Sequence, residues 1–170
     1  MGVFETILKR RSIRKFTADA VGRGRLEKLL EAARWAPSAG NLQPWVFVVV
    51  TAAEVREALA AAAYGQRFVA EAPAVIAVVA APPKDSPYGG RGRDLYCLQD
   101  TAAAVQNVLL TACELGLGTC WVGAFDEEAA AQALRLEAGE RPVALVPVGV
   151  PAREGRSSRR PLAEVVRWME

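Results

Sequence analysis

The chain has 170 residues, 52% of them hydrophobic, which is enough for one domain with a sizeable buried core, expected here over residues 1–170. Its 21 Lys and Arg against 19 Asp and Glu leave a formal charge of +2, and the basic residues fall in separate clusters at 9–15, 91–93 and 153–160 instead of one stripe interleaved with aromatics, so bulk nucleic-acid binding is not expected. No stretch approaches the roughly 20 apolar residues that span a bilayer, and no opening apolar run suits a signal peptide, so a soluble, cytoplasmic protein without a membrane partner is expected.

A first helix is predicted near Val3 to Arg11, and it runs into Arg10-Arg11-Ser12-Ile13-Arg14. Three guanidinium groups and a hydroxyl in so short a span can grip a phosphate, because Arg offers a permanently charged planar fork and Ser fills a remaining acceptor position. A solvated basic patch is the alternative. Gly22-Arg23-Gly24 reads as a turn-like opening to a second helix near Arg25 to Trp35, whose Leu26, Leu29, Leu30 and Ala33 recur at helical spacing; Pro37 ends it. The next segment, Ala36-Pro37-Ser38-Ala39-Gly40-Asn41-Leu42-Gln43-Pro44-Trp45, is a long polar loop. Its prolines limit backbone freedom, Gly40 permits close approach, and Ser38, Asn41 and Gln43 both donate and accept hydrogen bonds. Such a loop suits a flat heteroaromatic ligand with polar edges, such as a flavin isoalloxazine, or serves as an ordinary helix-to-strand connection.

Trp45 to Thr51 reads as a strand, Ala53 to Ala63 as an Ala-rich helix, and Ala74 to Ala81, introduced by Pro73, as a central strand. Pro82 to Arg93 has the strongest loop composition and is expected either to be mobile over a site or to be a disordered surface loop. Asp94 to Leu115 is long, Ala-rich and mostly apolar, as expected of a buried helix crossing the core or a dimer interface. Gly116 and Gly118 close it, and Thr119 to Phe125 forms a short strand or turn. Asp126, followed by Glu127 and Glu128, has the pattern of a helix N-cap with an acidic first turn, and Val143 to Val150 supplies another buried strand. The segment from Arg153 to Arg160 is basic and polar.

Cys97, Cys113 and Cys120 are odd in number, lack C-x-x-C spacing and have no His to join them, so they are expected as small core residues and no metal site is expected. The absence of His also removes the commonest general base and the usual Ser or Cys hydrolase arrangement. Neither G-x-G-x-x-G after a strand nor G-x-x-x-x-G-K-[ST] occurs. A cofactor that carries the chemistry fits this residue set better.

Four blocks in order, Arg10 to Arg14, Ala36 to Trp45, Gly116-Leu117-Gly118-Thr119-Cys120-Trp121-Val122-Gly123-Ala124-Phe125 and Arg159-Arg160-Pro161-Leu162, give a chain that resembles the FMN-dependent nitroreductase family over nearly its whole length. The resemblance implies an α+β fold with a central mixed, mainly antiparallel sheet flanked by helices, assembled as a homodimer with FMN at the subunit interface. It implies that Arg10, Arg11, Ser12, Arg14, Arg159 and Arg160 grip the ribityl phosphate, a group of about −1.5 to −2 charge that favours several cations. It implies further that Pro37, Ser38 and Asn41 lie along the isoalloxazine, that Trp121, Val122 and Gly123 approach it from another side, and that Gln66 reaches its pyrimidine edge. An exposed helix-end Gln is the alternative for Gln66. The implied activity is a ping-pong oxidoreductase in which NADH or NADPH passes hydride to the flavin and a nitroaromatic, quinone or similar small electron acceptor takes it away, with no essential side-chain base. The chain is shorter than larger family members between Leu59 and Pro73 and between Gly123 and Arg141. That leaves open other flavin chemistry (enone reduction, dehalogenation, flavin fragmentation), a non-catalytic flavin-binding protein, or a dimer that binds only inorganic anions.

Overall fold

The computed structural model describes residues 2–170. Helix α1 spans Val3–Lys9, α2 Arg23–Arg34, α3 Ala53–Ala62, α4 Phe68–Glu71, α5 Gly89–Arg91, α6 Cys97–Glu114 and α7 Glu127–Leu134. Strands β1 (Trp45–Val50), β2 (Ala74–Ala80), β3 (Gly118–Thr119) and β4 (Arg141–Gly149) form one sheet in the order β1-β2-β4-β3. Every strand pair in that sheet is antiparallel, and a parallel element enters through the single bridge between Ser12 and Thr119.

Strand β2 is buried along its whole length because both of its faces are covered. Side chains alternate across a strand, so Ala74, Ile76 and Val78 meet α2 and α6 on one face, together with Ala144, Val146 and Val148 of β4. Val75 and Ala77, with Leu145, meet α3, α4 and α7 on the other. This explains the near-continuous apolar runs of β2 and β4, which alternation alone does not predict. Helix α6 lies along the sheet with Ala104, Val105, Val108 and Ala112 fully buried, and the Asn107 amide donates to the Ala32 carbonyl at 2.9 Å to hold α2 beside it. No helix among the described residues is long and apolar enough to cross a membrane.

Several element bounds differ from the sequence reading. Helix α1 stops at Lys9, since Arg10 is already extended (φ −55°, ψ 131°) and the basic motif that follows runs as a strand-like segment. Helix α2 starts two residues early, directly after Gly22. The segment 82–93 is a loop only in its first half; from Gly89 it is helical, passing through a π-helical turn at Gly92–Tyr96 into α6. Short α4 lacked a periodic signal. The Asp126 cap is present as expected, its carboxylate accepting the Ala129 amide at 2.9 Å. Cys97 and Cys120 are buried and Cys113 half-buried, all as free thiols.

Candidate functional site

The extended backbone from Arg10 to Arg14 is fixed by the bridge to β3, with the Ile13 amide donating to the Thr119 carbonyl at 2.8 Å. Because side chains alternate there, Arg10, Ser12 and Arg14 share one face and Arg11 and Ile13 the other. Ile13 is buried against Gly118, where a Cβ would come within 2.8 Å of it. The Arg11 guanidinium turns to the Leu8 and Arg10 carbonyls at the end of α1 and stands apart from the Arg10, Ser12 and Arg14 side chains.

Ser12, Arg14 and Arg10 gather around Cys120. Burial pushes the Cys120 thiol above its ordinary value, and the Arg14 charge, a hydrogen bond from Ser12 and the Arg10 charge pull the other way. Burial prevails, so the thiol stays protonated at neutral pH and serves as the floor of the cationic face. Arg14 also lies over the Phe68 ring, 5.8 Å from its centroid. Neither Arg10 nor Arg14 takes part in an ion pair among the described residues, whose salt bridges employ Arg23, Arg34, Arg67, Arg93 and Arg141. Two uncompensated guanidiniums and an exposed hydroxyl therefore face solvent together.

The same region collects other predicted residues. Gln66, two residues before Phe68, donates from its amide to the Ala124 carbonyl at 3.1 Å, which ties it to the segment 121–124. Val122 is buried and bridged to Leu145, so Trp121 and Gly123 on either side of it stay exposed. The C-terminal segment passes close by: Phe16 bridges Pro151, the Ala152 amide donates to the Lys15 carbonyl, and Gly155 packs on Arg11 and Ser12. Arg159 and Arg160 are exposed beyond it, with Arg159 donating locally to the Ser157 hydroxyl and the Ser158 carbonyl. A cavity of about 550 Å³ opens beside Arg10, Arg11 and Ile13 and reaches Arg153, but neither Ser12 nor Arg14 lines it.

Pro37, Ser38 and Asn41 lie elsewhere. The Ser38 hydroxyl accepts the Gln43 amide at 3.0 Å, and Gly40, Asn41 and Gln43 all adopt left-handed φ of 57°, 55° and 51°. Conformations of that kind persist in non-glycine residues only where the surroundings impose them. Asp100 is part of the imposition: its carboxylate, buried in α6, accepts the Ala39 amide at 3.1 Å. Burial holds the Asp100 carboxyl above its usual value, and the Ala39 bond opposes that. Asp100 escaped the sequence reading, although an acid inside a long apolar helix is a visible signal.

Two rulers separate this loop from the cationic face. Thr119 pairs with Val148 and Val148 with Ala74, whereas Trp45 pairs with Ala80, so the two sites sit at opposite ends of β2, about 20 Å apart along the strand. Along α6, Asp100 touches the loop and Cys113 lies by the Thr6 carbonyl of α1, again about 20 Å at helical rise. One chain presents both predicted halves of a ligand site, far apart.

The nitroreductase family model matches residues 7–67 and 60–150, which include both halves. The chain belongs to the nitroreductase family. It is 36% identical to a Thermus thermophilus protein named NADH dehydrogenase, over 95% of this chain and 93% of that one. Its fold matches a Desulfovibrio desulfuricans nitroreductase-family structure in complex with FMN, with a TM-score of 0.87 and 36% identity over 100% of this chain and 98% of that chain. It also matches the NADPH:FMN oxidoreductase of Vibrio harveyi complexed with NAD+, with a TM-score of 0.89 and 26% identity over 99% and 77% of the two chains. The nitroreductase architecture thus accounts for the α+β arrangement.

Proposed function

We propose that this nitroreductase-family chain is an FMN-dependent NAD(P)H oxidoreductase that delivers electrons to a nitroaromatic, quinone or similar small acceptor. The observation that carries this reading is the solvent-facing set Arg10, Ser12 and Arg14, uncompensated by acids and backed by a neutral thiol. It fits a phosphomonoester, whose charge of about −1.5 to −2 asks for several fixed cations and a hydroxyl donor. Arg159 and Arg160, four and five residues beyond the Gly155 contact, supply further charge from the C-terminal segment.

Gln66 and the exposed residues Trp121 and Gly123, on either side of the buried Val122, continue the site from the phosphate toward a ring. Pro37, Ser38 and Asn41 contribute from a second copy of the chain, because the same copy holds them too far away. Exposed apolar side chains on α1 (Val3, Phe4, Leu8) and near the C-terminus (Leu162, Val165, Trp168) support such a homodimer. FMN, when bound, supplies the two-electron chemistry that links NAD(P)H to the acceptor. This chain's residues hold the phosphate, orient the ring and leave one face open, which the two substrates occupy in turn. No acid or base of the chain is assigned to proton transfer.

The test is an absorption spectrum of the purified protein after FMN reconstitution, followed anaerobically by NADH and then NADPH. Bleaching reversed by a quinone or nitroaromatic, with parallel-line initial-rate kinetics for the ping-pong order, is the expected result. Binding without bleaching points to flavin delivery instead, and absence of FMN binding overturns the assignment.

A further inference from the structure

The segment from Ser86 to Tyr96 reaches the loop that carries Ser38 and Asn41 through Tyr88, which packs on Gly40. A methyl group on Gly40 would meet the Tyr88 hydroxyl oxygen at 2.7 Å and ring carbons Cε2 and Cζ at 3.2 and 3.4 Å. Tyr88 is nonetheless 41% exposed, so it touches the loop while part of the residue stays open to solvent. Its position is braced from behind. Tyr96 meets it edge to face at 5.4 Å and 74°, and the Arg91 Nε donates to the Tyr96 hydroxyl at 2.9 Å while its guanidinium covers the Tyr96 ring at 5.3 Å. Gly92 is packed so closely on Ser86 and the Tyr88 Cβ that a side chain there would come within 2.5 and 2.9 Å of them. The π-helical turn at Gly92–Tyr96 departs from α-helical geometry in this same stretch, a departure that recurs at functional sites.

We propose that Tyr88 is a specificity-determining residue that forms one wall of the acceptor space beside the Ser38–Asn41 loop and favours flat conjugated acceptors that carry a hydrogen-bond-accepting oxygen at the edge of the ring system. This rests on the oxidoreductase reading above. The part of Tyr88 left open offers aromatic surface to a flat ligand, and the phenolic O–H is a donor at the ring edge for a quinone carbonyl or a nitro oxygen. The bracing from Tyr96 and Arg91 fixes the phenol in advance, which lowers the ordering cost of binding.

The experiment uses the FMN-loaded protein with Tyr88→Ala and Tyr88→Phe, menadione as the quinone and nitrofurazone as the nitroaromatic. Tyr88→Ala is expected to raise KM for both acceptors by about tenfold or more, which corresponds to about 1.4 kcal/mol, with kcat less affected. Tyr88→Phe, which keeps the ring and its fold, is expected to raise KM by a smaller factor, and more for whichever acceptor takes the phenolic hydrogen bond. FMN affinity by fluorescence quenching and the anaerobic rate of bleaching by NAD(P)H are expected to stay within about twofold. An unchanged KM for both acceptors in Tyr88→Ala overturns the proposal, as does a parallel loss of FMN affinity, which would make Tyr88 only a support for the loop. Failure of the underlying reading shows separately, in the unsubstituted protein, as no FMN binding or no bleaching.

Discussion

At Gly118 the absence of a side chain is what lets the cationic segment lie against β3. A Cβ there would stand 2.8 Å from both Cβ and Cγ2 of Ile13, so Gly118→Ala pushes the Arg10 to Arg14 strand away from Thr119. Overpacking of this kind costs about 1–3 kcal/mol. The expected outcome is a lower thermal midpoint together with weaker FMN binding in titration, since Ser12 and Arg14 ride on the displaced backbone. Asp100 makes a different case. Its carboxyl titrates above the usual carboxylate value because of burial, so the folded state holds its proton more tightly than the unfolded state. Stability from this group is therefore greatest at low pH and declines as pH rises from the ordinary Asp value through the raised one. Asp100→Asn keeps an oxygen for the Ala39 amide and removes the charge, so its melting curve is expected to equal or exceed that of the parent at pH 7, with the gain vanishing in acid. Asp100→Ala leaves the Ala39 amide without its acceptor and is expected to lose about 1–3 kcal/mol; a neutral result in a pH 7 melt would remove Asp100 from the loop's support.

Helix α7 shows how local chemistry sets an element. Asp126 caps it through the Ala129 amide while its own amide donates to the Ala62 carbonyl at 2.8 Å, joining α7 to α3. Asp126→Ala is expected to cost about 1 kcal/mol, a drop of about 2–4 °C for a chain of this size, read by calorimetry. This cap was legible in the sequence, as were α2, β1, β2, α6 and β4, because each carries its own periodicity or stop signal. Less legible were features decided by tertiary context. The end of α1 moved to Lys9 because the bridge to Thr119 draws Arg10 to Arg14 into an extended form that helix propensity does not anticipate. The helical second half of 82–93 was hidden by its glycines, and the packing of Tyr88 on Gly40 has no sequence signature at all. Arg10, Arg11, Ser12 and Arg14 stand together in the sequence, and the separation of Arg11 from the other three follows only from strand alternation; Asp100 is visible as an acid in a long apolar helix, but its bond to the Ala39 amide follows only from the fold.

For the whole molecule the deciding fact is that the cationic face and the Ser38–Asn41 loop lie about 20 Å apart on one chain, by strand and by helix rise alike. If each FMN site combines the cationic face of one subunit with the loop of its partner, defects in the two halves complement each other. A two-fold dimer of Arg10→Ala/Arg14→Ala subunits has two broken sites, and so has a dimer of Ser38→Ala/Asn41→Ala subunits. A heterodimer of the two keeps one site with both halves intact, beside one doubly defective site. Random reassociation makes half the dimers mixed, so about a quarter of the parental FMN-binding capacity is expected to return when the two variants are unfolded and refolded together. Refolding each variant alone is the control and is expected to restore nothing. Were both halves of a site supplied by one subunit, mixing would recover no capacity beyond that of the separate variants. Sedimentation of the refolded mixture at twice the 18.2 kDa chain mass shows that dimers formed, so a null result would count against the shared site and not against refolding.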